Sequence, residues 1–190
     1  MKIGLYFGSF NPIHIGHLII ANHVANYTDV DQVWLVVSPQ NPLKRSVVLL
    51  NEYSRLHLVK FAVENNPKIK ASDVEFKLPK PSYTIDTLTY LEEKYPANTF
   101  SIIMGSDSFC NIEKWKNHEI LLKKYPLIIY ARPDFPVQNQ KLSQTIQILN
   151  APLLNISATS IREAIKTNKS IRYLVSEKVC DEIEQAGYYK

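Results

Sequence analysis

His14 and His17 stand three residues apart in the segment Gly8-Ser9-Phe10-Asn11-Pro12-Ile13-His14-Ile15-Gly16-His17. On the first turn of a helix, two imidazoles at that spacing can both present ring nitrogens to one bound anion. The plain alternative is a helix cap plus a packed histidine. Zinc is the weaker reading, because a pair at i, i+3 needs further ligands and Cys110 and Cys180 lie far apart in the chain. A second constellation, Asn155-Ile156-Ser157-Ala158-Thr159-Ser160-Ile161-Arg162, combines hydroxyls with a guanidinium fork. Those groups suit polyphosphate oxygens, although a capped helix with a solvent-facing arginine would look the same. Neither Gly-x-x-x-x-Gly-Lys-Ser/Thr nor Gly-x-Gly-x-x-Gly follows the first strand, so the two common phosphate fingerprints are absent.

Both constellations need a strand that ends in a turn and a helix that starts from it. Lys2 to Phe7 reads as a buried parallel strand, and Leu18 to Ala21 with Val24 and Ala25 as the inward face of a helix ending near Tyr27. Gly8 is expected where the backbone turns, Pro12 stiffens the turn, and the unpaired amides of Ile15 to Leu18 offer the positive end of a helix dipole. Leu153 to Ile156 is expected as a strand, Ser157 or Thr159 as an N-cap, and Ile161, Ala164 and Ile165 as the stripe of a helix over Thr159 to Thr167.

Between them the pattern predicts strands over Gln32–Ser38, Lys68–Phe76, Thr99–Gly105 and Leu127–Ala131. It predicts helices opened by Asn51 and by Thr84, and a final helix over Ser176–Ala186 with Gly187 as C-cap. This βαβ repetition predicts an α/β chain, a Rossmann-like doubly wound parallel sheet with helices on both faces and a C-terminal helical segment. Such sheets bind ligands beyond the carboxyl ends of their strands, where Gly8, Ser38, Gly105 and Ile156 fall. Residues 39–48 and 132–143 read as the long loops.

Together these residues resemble the nucleotidylyltransferase superfamily, whose signatures are a Gly-x-Phe-(Asp/Asn)-Pro-x-His-x-Gly-His turn and an Ile-Ser-Ser-Thr-x-x-Arg turn. Within it the chain is most similar to the bacterial nicotinate-nucleotide adenylyltransferases. The likeness extends to Ser38-Pro39-Gln40-Asn41-Pro42-Leu43-Lys44, Pro81 to Leu88, Met104-Gly105-Ser106-Asp107, Trp115 and Ala131-Arg132-Pro133. Departures are Asn11 where Asp is common, Ala158 where a second Ser is usual, and Phe7 where a second Gly is frequent.

The resemblance implies transfer of AMP from ATP to nicotinate mononucleotide, giving nicotinate adenine dinucleotide and pyrophosphate, a step in NAD biosynthesis. It implies His14, His17, Lys44 and Arg162 as the catalytic cations and donors. ATP would meet Gly8, Ser9, Phe10, His14, His17, Gly105, Asp107, Ile156, Ser157, Thr159 and Arg162, with Asp107 at a ribose. The mononucleotide would meet Ser38, Lys44, Tyr83, Thr84 and Trp115, and Mg²⁺ would come with the ATP; no protein-borne metal site is expected. A 5′-phosphate is largely dianionic at neutral pH, its second pKa being ~6, so no general base is required. Nicotinamide mononucleotide adenylyltransferase stays open as an alternative, as does a non-catalytic nucleotide sensor. Pantetheine-phosphate adenylyltransferase is disfavoured, because Thr is typical there at the position of His14.

Composition sets the remaining bounds. A chain of 190 residues with 45% hydrophobic residues can bury one sizeable core, and one domain over residues 1–190 is expected. The net charge of +4 is dispersed with no Lys/Arg run, which argues against nucleic acid. No stretch approaches the ~18 apolar residues of a membrane span, and no signal peptide is visible. Two cysteines without an evident pairing fit a reducing compartment, so the cytoplasm is expected. Homo-oligomerisation is left open.

Overall fold

Short β-branched and aromatic runs in this chain are buried on both sides, and that is the condition for a parallel sheet with helices on each face. The computed structural model describes residues 1–40, 49–132, 134–137 and 146–190. Among them, six parallel strands form one sheet: β1 (Lys2–Gly8), β2 (Gln32–Val37), β3 (Ile69–Ser72), β4 (Thr99–Gly105), β5 (Leu127–Tyr130) and β6 (Ile146–Leu149). Their order across the sheet is β3-β2-β1-β4-β5-β6. The winding reverses between β1 and β4, and a crevice opens at the carboxyl ends of those two strands.

The helices are α1 (Ile15–Tyr27), α2 (Glu52–Val63), α3 (Thr84–Lys94), α4 (Ser106–Phe109), α5 (His118–Lys124), α6 (Ala158–Lys166) and α7 (Glu177–Ala186). Strand alternation divides them into two layers. Tyr6, Val33, Leu35, Val37, Ile103, Ile128 and Tyr130 face a core completed by Ala21 and Val24 of α1, Leu58 and Val59 of α2, Ile161 of α6, and Val179 and Ile183 of α7. Ile3, Leu5, Val36, Ile102, Met104 and Ile129 face the other core, with Leu88 and Leu91 of α3, Phe109 of α4 and Leu121 of α5. No helix among the described residues is long and apolar enough to cross a membrane.

Two expected strands differ. The run Lys68–Phe76 is strand only over Ile69–Ser72 and then coils into a 3₁₀ turn at Val74–Lys77. Among the described residues β3 is an edge strand that pairs only with β2, from Val33↔Ile69 to Val36↔Ser72, and Ser72 Oγ accepts the Val74 N–H at 3.4 Å as the ladder gives out. Leu153–Ile156 is no strand, because the place beside β5 is taken by Ile146–Leu149 along its full length, from Leu127↔Ile146 to Tyr130↔Leu149. Leu153 and Leu154 are exposed instead.

The local signals at the ends of helices match the structure. Asn51 Oδ1 accepts the Tyr53 N–H at 2.9 Å, Ser157 Oγ accepts the Ser160 N–H at 3.0 Å, and Gly187 ends α7 with φ of 65°. The helix after Ser157 starts at Ala158 rather than Thr159.

Leu88 is fully buried between α3 and the sheet. Leu88→Ala is expected to lower unfolding stability by about 2–5 kcal/mol with an unchanged denaturant slope, measured by urea titration. A loss below about 1 kcal/mol would contradict this packing.

Candidate functional site

β1 delivers the chain to the crevice at Gly8, where the missing side chain serves packing. A Cβ on Gly8 would lie 2.9 Å from Phe10 Cζ, so the glycine makes room for that ring. The left-handed backbone of the turn falls on Phe10, with φ of 43°. Phe10 is held there by burial and by edge contacts with Tyr6 and His17. Its side chain is therefore core, which leaves only backbone groups for a ligand. Asn11 follows, almost fully buried, and its Oδ1 accepts the Leu50 N–H at 3.1 Å.

His14 caps α1 with extended backbone, and its N–H donates to His17 Nδ1 at 3.3 Å. The two rings stack with centroids 3.6 Å apart. An imidazole that accepts at Nδ1 carries its proton on Nε2, so His17 is set as an Nε2–H donor. His14 is 7% exposed, and its buried Nδ1 has no hydrogen-bond partner among the described residues. Burial, and then the charge of Arg132, pull its pKa down to about 4. Gly16 is the spacer between the histidines because a Cβ there would stand 3.1 Å from His14 Nδ1.

The second constellation reaches the same turn. From the first turns of α6, Arg162 Nη1 donates to the Asn11 carbonyl at 2.7 Å and Nη2 to Thr159 Oγ1 at 3.2 Å. Segments 151 residues apart thus meet three residues before His14. Ile156 packs its side chain against the core, while Ser157 is engaged in capping α6.

Beside this polar end, and across the mouths of the central strands, lies an open cleft. It is lined by Gly8 and Ser9 after β1, Ser38 after β2, Tyr83 and Thr84 at the start of α3, Gly105 at the end of β4, and Trp115. Ser38, Tyr83, Thr84 and Trp115, expected together from the sequence, share this cleft. Trp115 is half-buried and packs against the α3 side of the sheet. Lys116 Nζ sits 4.9 Å from the centre of the Tyr83 ring and pairs with Asp86 at 2.8 Å. Lys44 lies outside the described residues.

Asp107, expected at a ribose, sits 3.3 Å from Arg132 Nε in an ion pair. Gly105 leaves room for that carboxylate, since a Cβ would come within 2.3 Å of Asp107 Oδ1, which would then have to shift. Arg132 Nη2 also donates to the Tyr130 hydroxyl at 3.4 Å, and Tyr130 shares a 3.2 Å hydrogen bond with Tyr6.

Three charged residues of this region had no assigned role in the sequence reading. Arg132 belonged to a quoted motif, but only the structure shows its charge acting on His14. Arg55 is 1% exposed and donates to the carbonyls of Ser9, Leu50, Ser38 and Pro39, tying the ends of β1 and β2 to α2. Its signal was an arginine on the inward stripe with Val59 and Val63. Glu75, 2% exposed, lines the cleft and accepts from Ser82 Oγ at 2.7 Å and Thr87 Oγ1 at 3.0 Å. Nothing in its sequence context marks it. Among the described residues no group of three or more His, Cys, Asp or Glu could hold a metal ion.

Comparison with known proteins bears on this arrangement. Residues 5–164 match the family model described as cytidylyltransferase-like. A "Probable nicotinate-nucleotide adenylyltransferase" of Cytophaga hutchinsonii is 54% identical over 189 residues, covering 100% of this chain and 98% of its own. A protein of the same description from Flavobacterium psychrophilum is 52% identical over 192 residues, with 100% of both chains covered. Among solved structures, Plasmodium falciparum nicotinic acid mononucleotide adenylyltransferase complexed with NaAD superposes with a TM-score of 0.84 at 24% identity. That match covers 99% of this chain and 97% of the other, a likeness of fold. With its paired histidines, its converging arginine and relatives that match it from end to end, the chain belongs to the nicotinate-nucleotide adenylyltransferase family of cytidylyltransferase-like proteins.

Proposed function

We propose that this protein transfers AMP from ATP to nicotinate mononucleotide and releases pyrophosphate. The observation that carries this reading is the 2.7 Å bond from Arg162 to Asn11, which brings a guanidinium to the His14–His17 turn at the edge of the crevice. A mononucleotide phosphate oxygen attacks the α-phosphorus of ATP in line, and the bond to the pyrophosphate oxygen breaks. Because the nucleophile is already anionic, the protein's task is to hold two repelling anions together and to stabilise the charge that spreads over their oxygens.

His17 Nε2–H and Arg162 supply that stabilisation, and Lys44 is proposed as a further cation from its loop. The amides at the start of α1, expected to be unpaired, are largely spent inside the fold, Ile15 N–H on the Leu174 carbonyl at 2.9 Å and His17 N–H on the His14 carbonyl at 2.9 Å. Mg²⁺ is proposed to arrive as part of the ATP substrate, bound mainly by phosphate oxygens and water. The described residues offer no cluster that would hold it independently.

The acceptor fits the cleft. Trp115 can stack on a pyridinium ring, whose positive charge strengthens the contact. The N-terminus of α3 at Thr84 favours an anionic carboxylate over a neutral amide by roughly 0.3–1 kcal/mol. That preference supports nicotinate over nicotinamide. Two free thiols, Cys110 exposed and Cys180 buried, support the cytoplasm as the compartment.

Pyrophosphate release from ATP should be about two- to fivefold faster at limiting nicotinate mononucleotide than at limiting nicotinamide mononucleotide. Equal rates would give dual specificity, and nucleotide binding without pyrophosphate would give a sensor. His17→Ala is expected to lower kcat by about 10²–10³-fold with a smaller change in mononucleotide KM. Unchanged turnover would remove His17 from the mechanism.

His14 adds a pH dependence. Its folded pKa of about 4 lies below the unfolded value of 6.5, so between those values the unfolded chain binds a proton that the native protein refuses. Native stability therefore falls as pH drops from 6.5 towards about 4, by up to about 3 kcal/mol from this residue. His14→Gln should flatten that part of the profile in urea titrations. A variant with the wild-type slope would show that His14 titrates normally.

A further inference from the structure

Glu75 is a buried carboxyl in the cleft wall that the proposed chemistry does not use, and two of its hydrogen bonds come from the start of α3. Tyr83 is the N-cap of that helix and makes no side-chain capping bond. Ser82 precedes the cap, and Thr87 is the fourth residue of the helix. In many helices an apolar contact between those same two positions fixes the angle at which the chain enters. Here Glu75 joins them through polar bonds, at 2.7 Å to Ser82 Oγ and 3.0 Å to Thr87 Oγ1.

Glu75 itself belongs to the 3₁₀ turn after β3. The clamp therefore ties the helix start to the strand ends across the cleft lined by Ser38, Ser82, Tyr83 and Thr84. We infer that Glu75 is a positioning residue for the mononucleotide, one that aims the first amides of α3 and the Tyr83–Thr84 wall at the ligand. This rests on the adenylyl-transfer reading above.

Physical cost argues that the carboxyl is more than filler. Burial pushes its pKa up, while bonds from Ser82, Ser38 and Thr87 pull it back, and among the described residues no cation takes part. A buried acid held by hydroxyls destabilises the fold relative to an apolar side chain of similar volume. Its benefit must lie in the geometry that it imposes.

The test is steady-state pyrophosphate release by Glu75→Ala and Glu75→Gln with each substrate varied in turn. Glu75→Ala should raise the mononucleotide KM at least about tenfold, with kcat and the ATP KM within about threefold of wild type. Glu75→Gln, which still accepts from one hydroxyl and can donate to the other, should recover most of that loss. Equal rises in both KM values would mean a general structural role and would overturn the inference. So would a Gln variant as impaired as Ala, or an unchanged mononucleotide KM.

If Glu75→Ala does not fold, Ser82→Ala and Thr87→Val each remove one arm of the clamp. Each should raise the mononucleotide KM alone by about 3–10-fold, and a change of less than twofold in both would sink the proposal. Wild-type protein that binds both substrates but releases no pyrophosphate would refute the adenylyl-transfer reading instead.

Discussion

The turn from Gly8 to His14 is held by two guanidiniums that are satisfied by main-chain carbonyls, and the rest of the site depends on that anchoring. Arg55 binds the carbonyls of Ser9, Leu50, Ser38 and Pro39, and Arg162 binds that of Asn11. Carbonyls fix a guanidinium in place without cancelling its charge, whereas a carboxylate partner would neutralise it. The positive charge therefore stays available to anions gathered at the strand ends. Burial works against it, lowering the pKa of Arg55 from that of a free guanidinium, and the four carbonyl bonds offset the lost hydration.

The paired histidines depend on the same turn. Their stacking requires that neither ring be pressed by a side chain at Gly16, and that the His14 N–H point back at His17. Two imidazoles at 3.6 Å could not both be protonated without strong repulsion, and burial keeps His14 neutral. His17 then acts as an oriented dipole in the helix that follows the turn anchored by Arg162. Charge and dipole divide the work, and the dipole adds little self-repulsion to a pocket that is empty of substrate.

Much of the framework was legible from local pattern. Gln32 to Val37 and Thr99 to Gly105 are too apolar to be anything but buried strands, and Asn51, Ser157 and Gly187 carry capping chemistry that acts within a few residues. The exceptions share a cause. Lys68–Phe76 had strand composition beyond the point where β2 ends, and Leu153–Ile156 had it where β5 already had a partner. A strand exists only if a neighbour completes its ladder, and no local run records that. At the site, His14, His17 and Arg162 could be named from motif residues, whereas Arg55 and Glu75 could not, because their partners are carbonyls and hydroxyls distant in the chain.

By itself, the sequence determined which chemical groups were present and the period at which apolar residues recur. Those two properties are local, and they suffice for the α/β class and for a polyphosphate-binding hypothesis. Only the tertiary structure decided that β1 and β4 would be neighbours, that Arg162 would reach Asn11 across 151 residues, and that Asp107 would face Arg132. The reason is that charge and hydrogen bonding act through distance in space. That distance is set by how the two faces of the sheet are covered, which the order of residues along the chain constrains only through the fold as a whole.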